Sequence, residues 1–559
     1  MSAVATGGGS IGRASAFLAA GTFVSRILGF VSAIVLAQTI GVKGTAGADT
    51  FTLANQLPNN IYAIIAGGLL SAVFVPAIVR AGLHDDGGQR FINRLVTLGL
   101  VVFIGAGIIA TVCAPLLVRV YASSSDGSSG GFTEADLALA TLFAYWCLPQ
   151  VLFYALYSLL GEVLNARHQF GPFTWAPVIN NIVAIAGLVL FTVLFGGDAS
   201  KASVSDWTAG MVALIAGSAT LGVAAQAFFL CFFWRRAGLS FKPDFHWRGV
   251  GLGAAGKAAA WTFGMILVTQ VAGIVQSQVA TQAGGSGSDT ASIAILRYAW
   301  LIFMLPHSIA AVSIATAYFT RMSTHARDGE VGEVRKDLSQ SLRSIGFILV
   351  FSSVGLIVLA FPFSAIFAEN GYSDVAAMAP VLIAFLIGLV PFSVLHVLRR
   401  TFYALEDTRT PFFVTVFQAS LFIVLALLVG LLPLEYIAVG IGVVTTIAGV
   451  AQTTVAFVLL RRKLGRLDGV LILRRHVQFL VAALAAGVAG AAIVFALGGF
   501  RDGGFAVSSI PGAGVTMVVA GVVMVGIYAG ILRLMHNPEL LGFTAPVLSR
   551  ARRLLGRAR

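Results

Sequence analysis

The chain has 559 residues and a formal charge of +13, yet only 11% of its residues are charged and 58% are hydrophobic, with a mean hydropathy of +0.92. Soluble domains carry about 25% charged residues, so these figures exclude a soluble enzyme and describe an all-α polytopic membrane protein. The basic excess is what cytoplasmic loops of such proteins carry, and it does not call for a nucleic-acid partner.

Residues 1–15 read as a flexible N-terminal tail, not a cleaved signal peptide, because the apolar stretch that follows is long and contains Arg26. A span needs roughly 20 apolar residues. That rule divides the chain into about fourteen helices, near 16–40, 51–80, 94–118, 136–165, 172–196, 207–234, 257–283, 290–320, 341–362, 375–399, 411–432, 436–460, 477–499 and 509–534. In the first, Arg26 stands alone in an apolar run. An arginine at the bilayer centre costs roughly 2.5–3.5 kcal/mol on insertion scales, so it faces a polar interior or finds a partner. Arg26 is therefore a candidate anion-binding residue; the alternative is a structural arginine at a helix C-terminus or beside an acid.

Asp49 opens the second span. It is either a cap for that helix or a residue facing the substrate. Asn55, Gln56, Pro58, Asn59 and Asn60 follow, then Gly67 and Gly68. Polar groups and helix breakers at membrane depth need a cavity or a partner helix. Asn55, Asn59 and Asn60 thus line a cavity or satisfy backbone groups freed by Pro58, while the glycines permit close packing. Residues 120–135 form a Gly/Ser-rich external linker. Gln270, Gln276 and Gln278 in the seventh span are expected to hydrogen-bond between helices. Arg297 in the eighth is a cavity cation or snorkels outward. Residues 321–343 are expected to be a charged helix on the inner surface or a solvated connector. Glu162 and Arg167, and Glu406, Asp407 and Arg409, end helices; they form local ion pairs or a gate built from them. His307 and His396 occur singly. Cys113, Cys147 and Cys231 lie in apolar segments without metal or disulfide spacing, and no Walker motif or catalytic triad is present.

Charge placement orients the chain. With an even helix count and the N-terminus inside, Arg80, Arg90, Arg94, Arg167, Arg248, Arg321 and the run Arg461–Lys463 all fall on one side, with the arginines of the C-terminal tail. The other side collects acids such as Glu134, Asp198, Asp206, Asp289 and Glu435, and only a few basic residues, Lys201 among them. Both termini are then cytoplasmic.

A repeat is visible as well. LPQVLFYALYSLLGEVLNARHQFGPF (148–173) parallels VPFSVLHVLRRTFYALEDTRTPF (390–412), pairing Pro149 with Pro391, Asn165 with Asp407 and Arg167 with Arg409. LPNNIYA (57–63) echoes LPHSIAA (305–311) at a similar spacing. The pattern predicts two parallel six-helix lobes, 16–240 and 249–463, followed by two added spans in 474–535 and a basic tail, 536–559. Parallel repeats of this kind mark transporters.

At VSRILGF (24–30), ADTFTLANQLPN (48–59), AVFVP (72–76), LNARHQFGPFTWAPVINN (164–181), MLPHSI (304–309) and FYALEDTRTPF (402–412), the sequence resembles the MurJ/MviN lipid II flippases of the MOP exporter superfamily, most of all actinobacterial members. The resemblance implies two lobes around a cationic cavity, with the last two spans forming a groove for a polyprenyl tail. It implies alternating access that carries the undecaprenyl-diphosphate-linked peptidoglycan precursor to the outer leaflet of the bacterial cytoplasmic membrane. No cofactor is implied; the drive is the membrane potential or a Na+ or H+ gradient. The implied partners are that precursor, membrane lipids and cell-wall synthesis proteins, around a monomer. Arg26 and Asp49 match the family pattern. Ser32, Tyr62, Ala63 and Leu301 stand where the family often has arginines, with Arg297 one turn before Leu301, so the expected cavity is less basic. The alternatives are another MOP-type exporter, for drugs or polysaccharide-lipids, and a non-transporting scaffold of wall synthesis.

Overall fold

The computed structural model describes residues 8–66, 89–124, 130–167, 169–196, 203–236, 238–246 and 252–542. Several expectations fall outside those residues: the tail before residue 8, the rest of the second span with Gly67 and Gly68, Arg80, part of the 120–135 linker, Asp198 and Lys201, Arg248, and the basic tail beyond 542. The described chain is helical, with no strand among the described residues. It runs α1 Gly8–Ile40, α2 Ala46–Ile65, α3 Gln89–Val112, α4 Ala114–Tyr121, α5 Glu134–Cys147, α6 Gln150–Ala166, α7 Phe170–Phe195, α8 Ala209–Trp234 and α9 Leu252–Thr281. Then come α10 Ile293–Pro306, a π-helical turn His307–Ala311, α11 Val312–Arg327, α12 Val331–Val358, α13 Ala360–Ala365, α14 Tyr372–Leu386, α15 Leu389–Ala404, α16 Arg409–Val429, α17 Leu434–Leu464, α18 Gly469–Ala496 and α19 Ile510–Leu534. Twelve described helices are long and apolar enough to cross a membrane, and thirteen when the pair α14–α15, bent by 41°, is read as one span. The expected count of about fourteen is not reached among the described residues, because the second span has only Ala46–Ile65 within them.

The chain forms two compact units, Met1–Ala294 and Ile295–Arg559. In the first, small residues let helices touch. A Cβ on Gly187 of α7 would come 2.2 Å from the Cβ of Ser218 on α8, and one on Gly222 of α8 would come 2.5 Å from Asn180 Oδ1. With no hydrophobic drive between helices in lipid, such close backbone approach is what holds them. α1 lies along α7 in the same way. Gly21 faces Trp175, and Asn181 Nδ2 donates to Ser25 O at 3.0 Å. The seventh expected span, α9, packs on α2 and α4 of this unit.

The repeat is visible in the neighbour pattern. In the first unit α3 packs on α6, α6 on α8, α5 on α8, α7 on α8 and α4 on α5. In the second, α12 packs on α15, α15 on α17, α14 on α17, α16 on α17 and α13 on α14. Both units break one span. Between α5 and α6, Pro149 lacks the N–H that would continue the ladder, and Thr220 Oγ1 of α8 donates to Trp146 O at 2.7 Å. Between α14 and α15, Thr446 Oγ1 of α17 donates to Ala384 O at 2.8 Å, and Ser353 Oγ donates to Leu386 O at 2.7 Å.

Helix ends correct the residue pairing read from sequence. α6 closes with Gln169 N donating to Leu164 O, and α15 with Asp407 N donating to Phe402 O and Glu406 N to Tyr403 O. The last two bonds are the Schellman pattern. The structure therefore sets Gln169, not Asn165, at the position of Asp407, and Gly388, not Pro391, at the position of Pro149. Prolines a few residues apart mislead because the cap, not the proline, fixes where each helix stops. A second correction concerns 321–343. It is no separate surface helix: α11 continues to Arg327, turns through Gly329 (φ +77°), and α12 starts at Val331. Arg321 and His325 reach Asp337 across that turn at 2.7 and 3.7 Å, which is why the charges sit on two spanning helices.

In the second unit, buried residues of α11, α12, α15 and α17, among them Met322, Leu342, Leu398 and Leu460, form one core. α12, α18 and α19 form another, around Phe479, Ala486, Met524 and Tyr528. The outward faces of α18 and α19 keep Val488, Phe495, Val518 and Val522 exposed, as lipid-facing side chains are. At one end of this sheaf Glu539 is buried and pairs with Arg343 at 2.5 Å and Arg475 at 3.7 Å.

Candidate functional site

Arg26 lies on α1, half-buried. The face of α1 toward α7 carries Gly21, Ser25 and Gly29, spaced four apart. Arg26 is one residue on, about 100° around the helix, so it flanks that seam. Its neighbours Phe23 and Ile27 are exposed. The guanidinium thus sits on a face of α1 that also exposes apolar side chains.

Asp49 is buried in the first turn of α2 but does not cap it. Thr45 is the N-cap, accepting from Ala48 N at 3.3 Å. Asp49 instead accepts from Ala294 N at 3.2 Å and Gly285 N at 3.4 Å. Its carboxylate therefore caps α10 and fastens the loop between α9 and α10. Asp136, also buried, accepts from Ser286 Oγ at 2.5 Å and Ser286 N at 3.3 Å in the same loop. Lys43 Nζ donates to Asp289 O at 3.0 Å. Three polar anchors thus hold 282–294 against the head of α2.

Asn55 Oδ1 accepts from Gln150 Nε2 at 3.2 Å, and Gln150 also donates to Thr220 Oγ1 at 3.0 Å. With Thr220 on Trp146 O, this makes one polar chain from α2 through the broken span to α8. Asn59 is exposed. Asn60 O accepts from Gln270 Nε2 at 3.2 Å, and Gln278 Nε2 donates to Val120 O at 2.7 Å. Gln270 and Gln278 are therefore interhelical ties, as their sequence context predicts. Glu162 is half-buried near the end of α6, beside Tyr62, and Arg167 is the C-cap of that helix.

In the second unit, Arg297 is exposed on α10 between buried Leu296 and Tyr298. Glu406 is exposed and left-handed, with φ +57°. Asp407 accepts from Lys463 Nζ at 2.7 Å, Thr410 Oγ1 at 2.8 Å and Thr410 N at 2.9 Å. Arg409, which the sequence set beside it, stacks over Phe413 at 5.6 Å. Asp407 lies between spans, and its carboxyl is held below the usual range. Burial works against that; the Lys463 and Thr410 bonds outweigh it.

One cluster escapes sequence reading. His307, in the π-helical turn after Pro306, is buried and its Nδ1 lies 2.8 Å from Ser393 Oγ. Its ring meets that of His396 at 5.4 Å and 90°. Arg399 and Arg400 follow on the same face of α15. The signal was available in the echo of LPNNIYA by LPHSIAA and in the spacing His-x-x-Arg-Arg. Among the described residues no group of three His, Cys, Asp or Glu side chains is placed to hold a metal ion.

Comparison with known proteins gives this geometry a family. A family model described as "Lipid II flippase MurJ" matches residues 36–511. The chain is 28% identical over 493 residues to a "Probable lipid II flippase MurJ" of Haemophilus influenzae, covering 84% of this chain and 90% of that one. It is 27% identical to the protein of the same description from Rickettsia prowazekii, over 73% and 76% of the two chains. A solved "Lipid II flippase MurJ, inward closed conformation" superposes with a TM-score of 0.71 at 19% identity, covering 93% of this chain and 99% of that one. An inward-facing multidrug resistance MATE transporter of the MOP superfamily superposes with a TM-score of 0.60 at 18% identity, over 78% and 94%. Both likenesses show the fold. Because the family model runs through most of both units, the chain belongs to the MurJ lipid II flippase family.

Proposed function

We propose that this protein is a lipid II flippase. It moves the undecaprenyl-diphosphate-linked peptidoglycan precursor from the inner to the outer leaflet of the bacterial cytoplasmic membrane by alternating access. It is a multi-pass transporter with both termini in the cytoplasm, and it makes and breaks no covalent bond. The observation that carries this reading is the family match over 36–511, supported by a relative named for the same activity that is matched across 90% of its length.

Arg26 supplies the first positive charge for the diphosphate. An arginine within a spanning helix suits an anionic ligand, because its guanidinium forms charge-assisted, bidentate hydrogen bonds with phosphate. Arg297 supplies the second. Asn55, Asn59 and Asn60 give α2 a polar edge for the sugar and peptide, and Asp49 keeps the head of α2 in place for them. Glu162 and Arg167, with Glu406, Asp407 and Arg409, are gate residues whose contacts change between states. The polyprenyl tail runs along α18 and α19, in bilayer lipid. The membrane potential is the drive, worth about 2.3 kcal/mol per charge per 100 mV; a Na+ or H+ gradient is the other candidate. The protein acts as a monomer alongside cell-wall synthesis proteins.

The MATE likeness favours one rival, a drug or polysaccharide-lipid exporter of the same fold. Depletion in living cells separates the readings. Loss of a flippase leaves lipid-linked precursor accumulating on the inner face, out of reach of an externally added precursor-cleaving enzyme. An exporter of drugs leaves precursor orientation unchanged on depletion, and so does a scaffold that moves nothing.

A further inference from the structure

The second unit holds positive charge that the described protein does not neutralise. His396, Arg399 and Arg400 sit at positions i, i+3 and i+4 of α15, which places them on one helix face. All three are half-buried. His396 Nε2 is buried without a hydrogen-bond partner. The one hydrogen bond made by the Arg399 side chain is a long one, 3.4 Å to the neutral Thr415 hydroxyl on α16. Arg400 lies over the Phe319 ring of α11 at 5.1 Å, a contact that uses the guanidinium face and leaves its in-plane N–H donors free. An arginine has five such donors.

Acids do not answer this charge. Neither α11, α15 nor α16 contains Asp or Glu. On α12, Glu333 is paired with Lys336 and Asp337 with Arg321. On α17, Glu435 lies in the first turn, while the contact with α15 near these cations involves the other end, where Lys463 holds Asp407. Glu406 is exposed beyond the end of α15. Uncompensated cations removed from water are costly, and a built cluster of them with free donors is complementary to an anion. The depth fits a lipid phosphate. Arg399 lies five residues before Ala404, the end of α15, about 7 Å along the axis. That is about the thickness of one headgroup layer, and basic pockets between spanning helices at that level hold anionic lipid heads.

We infer that His396, Arg399 and Arg400 form an anion site for the phosphate of a lipid headgroup, at the end of α15 between α11 and α16. This deepens the flippase reading by giving the second unit its own phosphate contact, separate from Arg297. Two sources share the chemistry: the diphosphate of the carried lipid and the phosphate of bulk anionic phospholipid. Arg400 and Arg399 clamp phosphate oxygens, and the His396 ring supplies a further N–H.

The test is binding to the full-length protein in detergent, read by native mass spectrometry with undecaprenyl diphosphate and with phosphatidylglycerol as separate probes. Wild type binds at least one of them, and Arg399→Gln and Arg400→Gln each weaken that binding at least tenfold, while Arg400→Lys keeps it within about threefold. If phosphatidylglycerol competes on equal terms, the source is the bilayer; if undecaprenyl diphosphate wins, it is the cargo. Unligated thermal unfolding checks that each variant folds. Arg400→Gln, at the more peripheral cation–π contact, decides the matter if Arg399→Gln does not fold. Wild-type binding of neither probe, or unchanged binding in a folded Arg400→Gln, overturns the inference. The flippase reading stands or falls separately, on precursor movement across vesicles.

Discussion

Replacing Asp49 by alanine removes the carboxylate that accepts from the Ala294 and Gly285 amides and leaves two buried N–H groups without partners. A hydrogen bond contributes about 0.5–1.5 kcal/mol, and a stranded buried donor costs about 1–3 kcal/mol. The 3.4 Å contact is the weaker, so the combined loss is about 3 kcal/mol. For a unit of this size that corresponds to an apparent Tm lower by about 6–10 °C, measured at one scan rate because unfolding from detergent is irreversible. Asp49→Asn keeps one acceptor oxygen and loses about half as much. Hydrogen exchange localises the effect: amides of 283–296 lose protection in Asp49→Ala while those of α7 and α8 keep theirs. An Asp49→Ala protein that melts within about 1 °C of wild type, with 283–296 still protected, would refute the anchoring role and return Asp49 to the list of residues that act only on substrate.

Three further outcomes follow from other contacts. Glu406→Gly relieves a left-handed residue, worth about 1–2 kcal/mol, against an unfolded-state entropy cost of about 0.5–1 kcal/mol for glycine; a thermal shift of about +1 to +3 °C is expected. Glu539→Gln leaves the half-buried Arg343 and Arg475 beside a neutral amide and costs about 2–3 kcal/mol, less than breaking a fully buried pair, seen as early melting of the α12–α18–α19 core in hydrogen exchange. Asp244, on the loop after α8, is held down to about 2 by the His246 amide and by the Arg94 guanidinium at 2.9 Å. A depressed carboxyl stabilises above its unfolded value of 3.8 and loses that contribution as pH falls toward 2. Limited acid proteolysis should therefore leave 238–246 docked at pH 5 and cut it near pH 2; cutting at pH 5 contradicts the pairing.

The membrane class, the helix order and the existence of a repeat were legible because they are written in composition, apolar run length and local motifs. What was not legible depends on distant partners. Asp49 is satisfied by amides 236 and 245 residues away, so a cap on its own helix was the natural reading. His307 meets Ser393 across 86 residues, a pairing that local spacing does not reveal. The repeat register is hidden from proline spacing because capping residues, not prolines, set the helix ends. The 321–343 stretch misled because charge density reads as surface, although Asp328-Gly329 is itself a turn signal and the acids behind it pair across two helices.

The central claim is movement of a lipid diphosphate across the bilayer. Purified protein in vesicles, with fluorescent lipid-linked precursor loaded symmetrically and an impermeant quencher or cleaving enzyme added outside, measures it directly. The protected inner-leaflet fraction becomes accessible when wild type is present and an inside-negative or inside-positive potential is imposed, and Arg26→Ala slows this at least tenfold. A protected fraction that stays at the protein-free level under either potential and under Na+ or H+ gradients, with folded wild-type protein in the membrane, would contradict it.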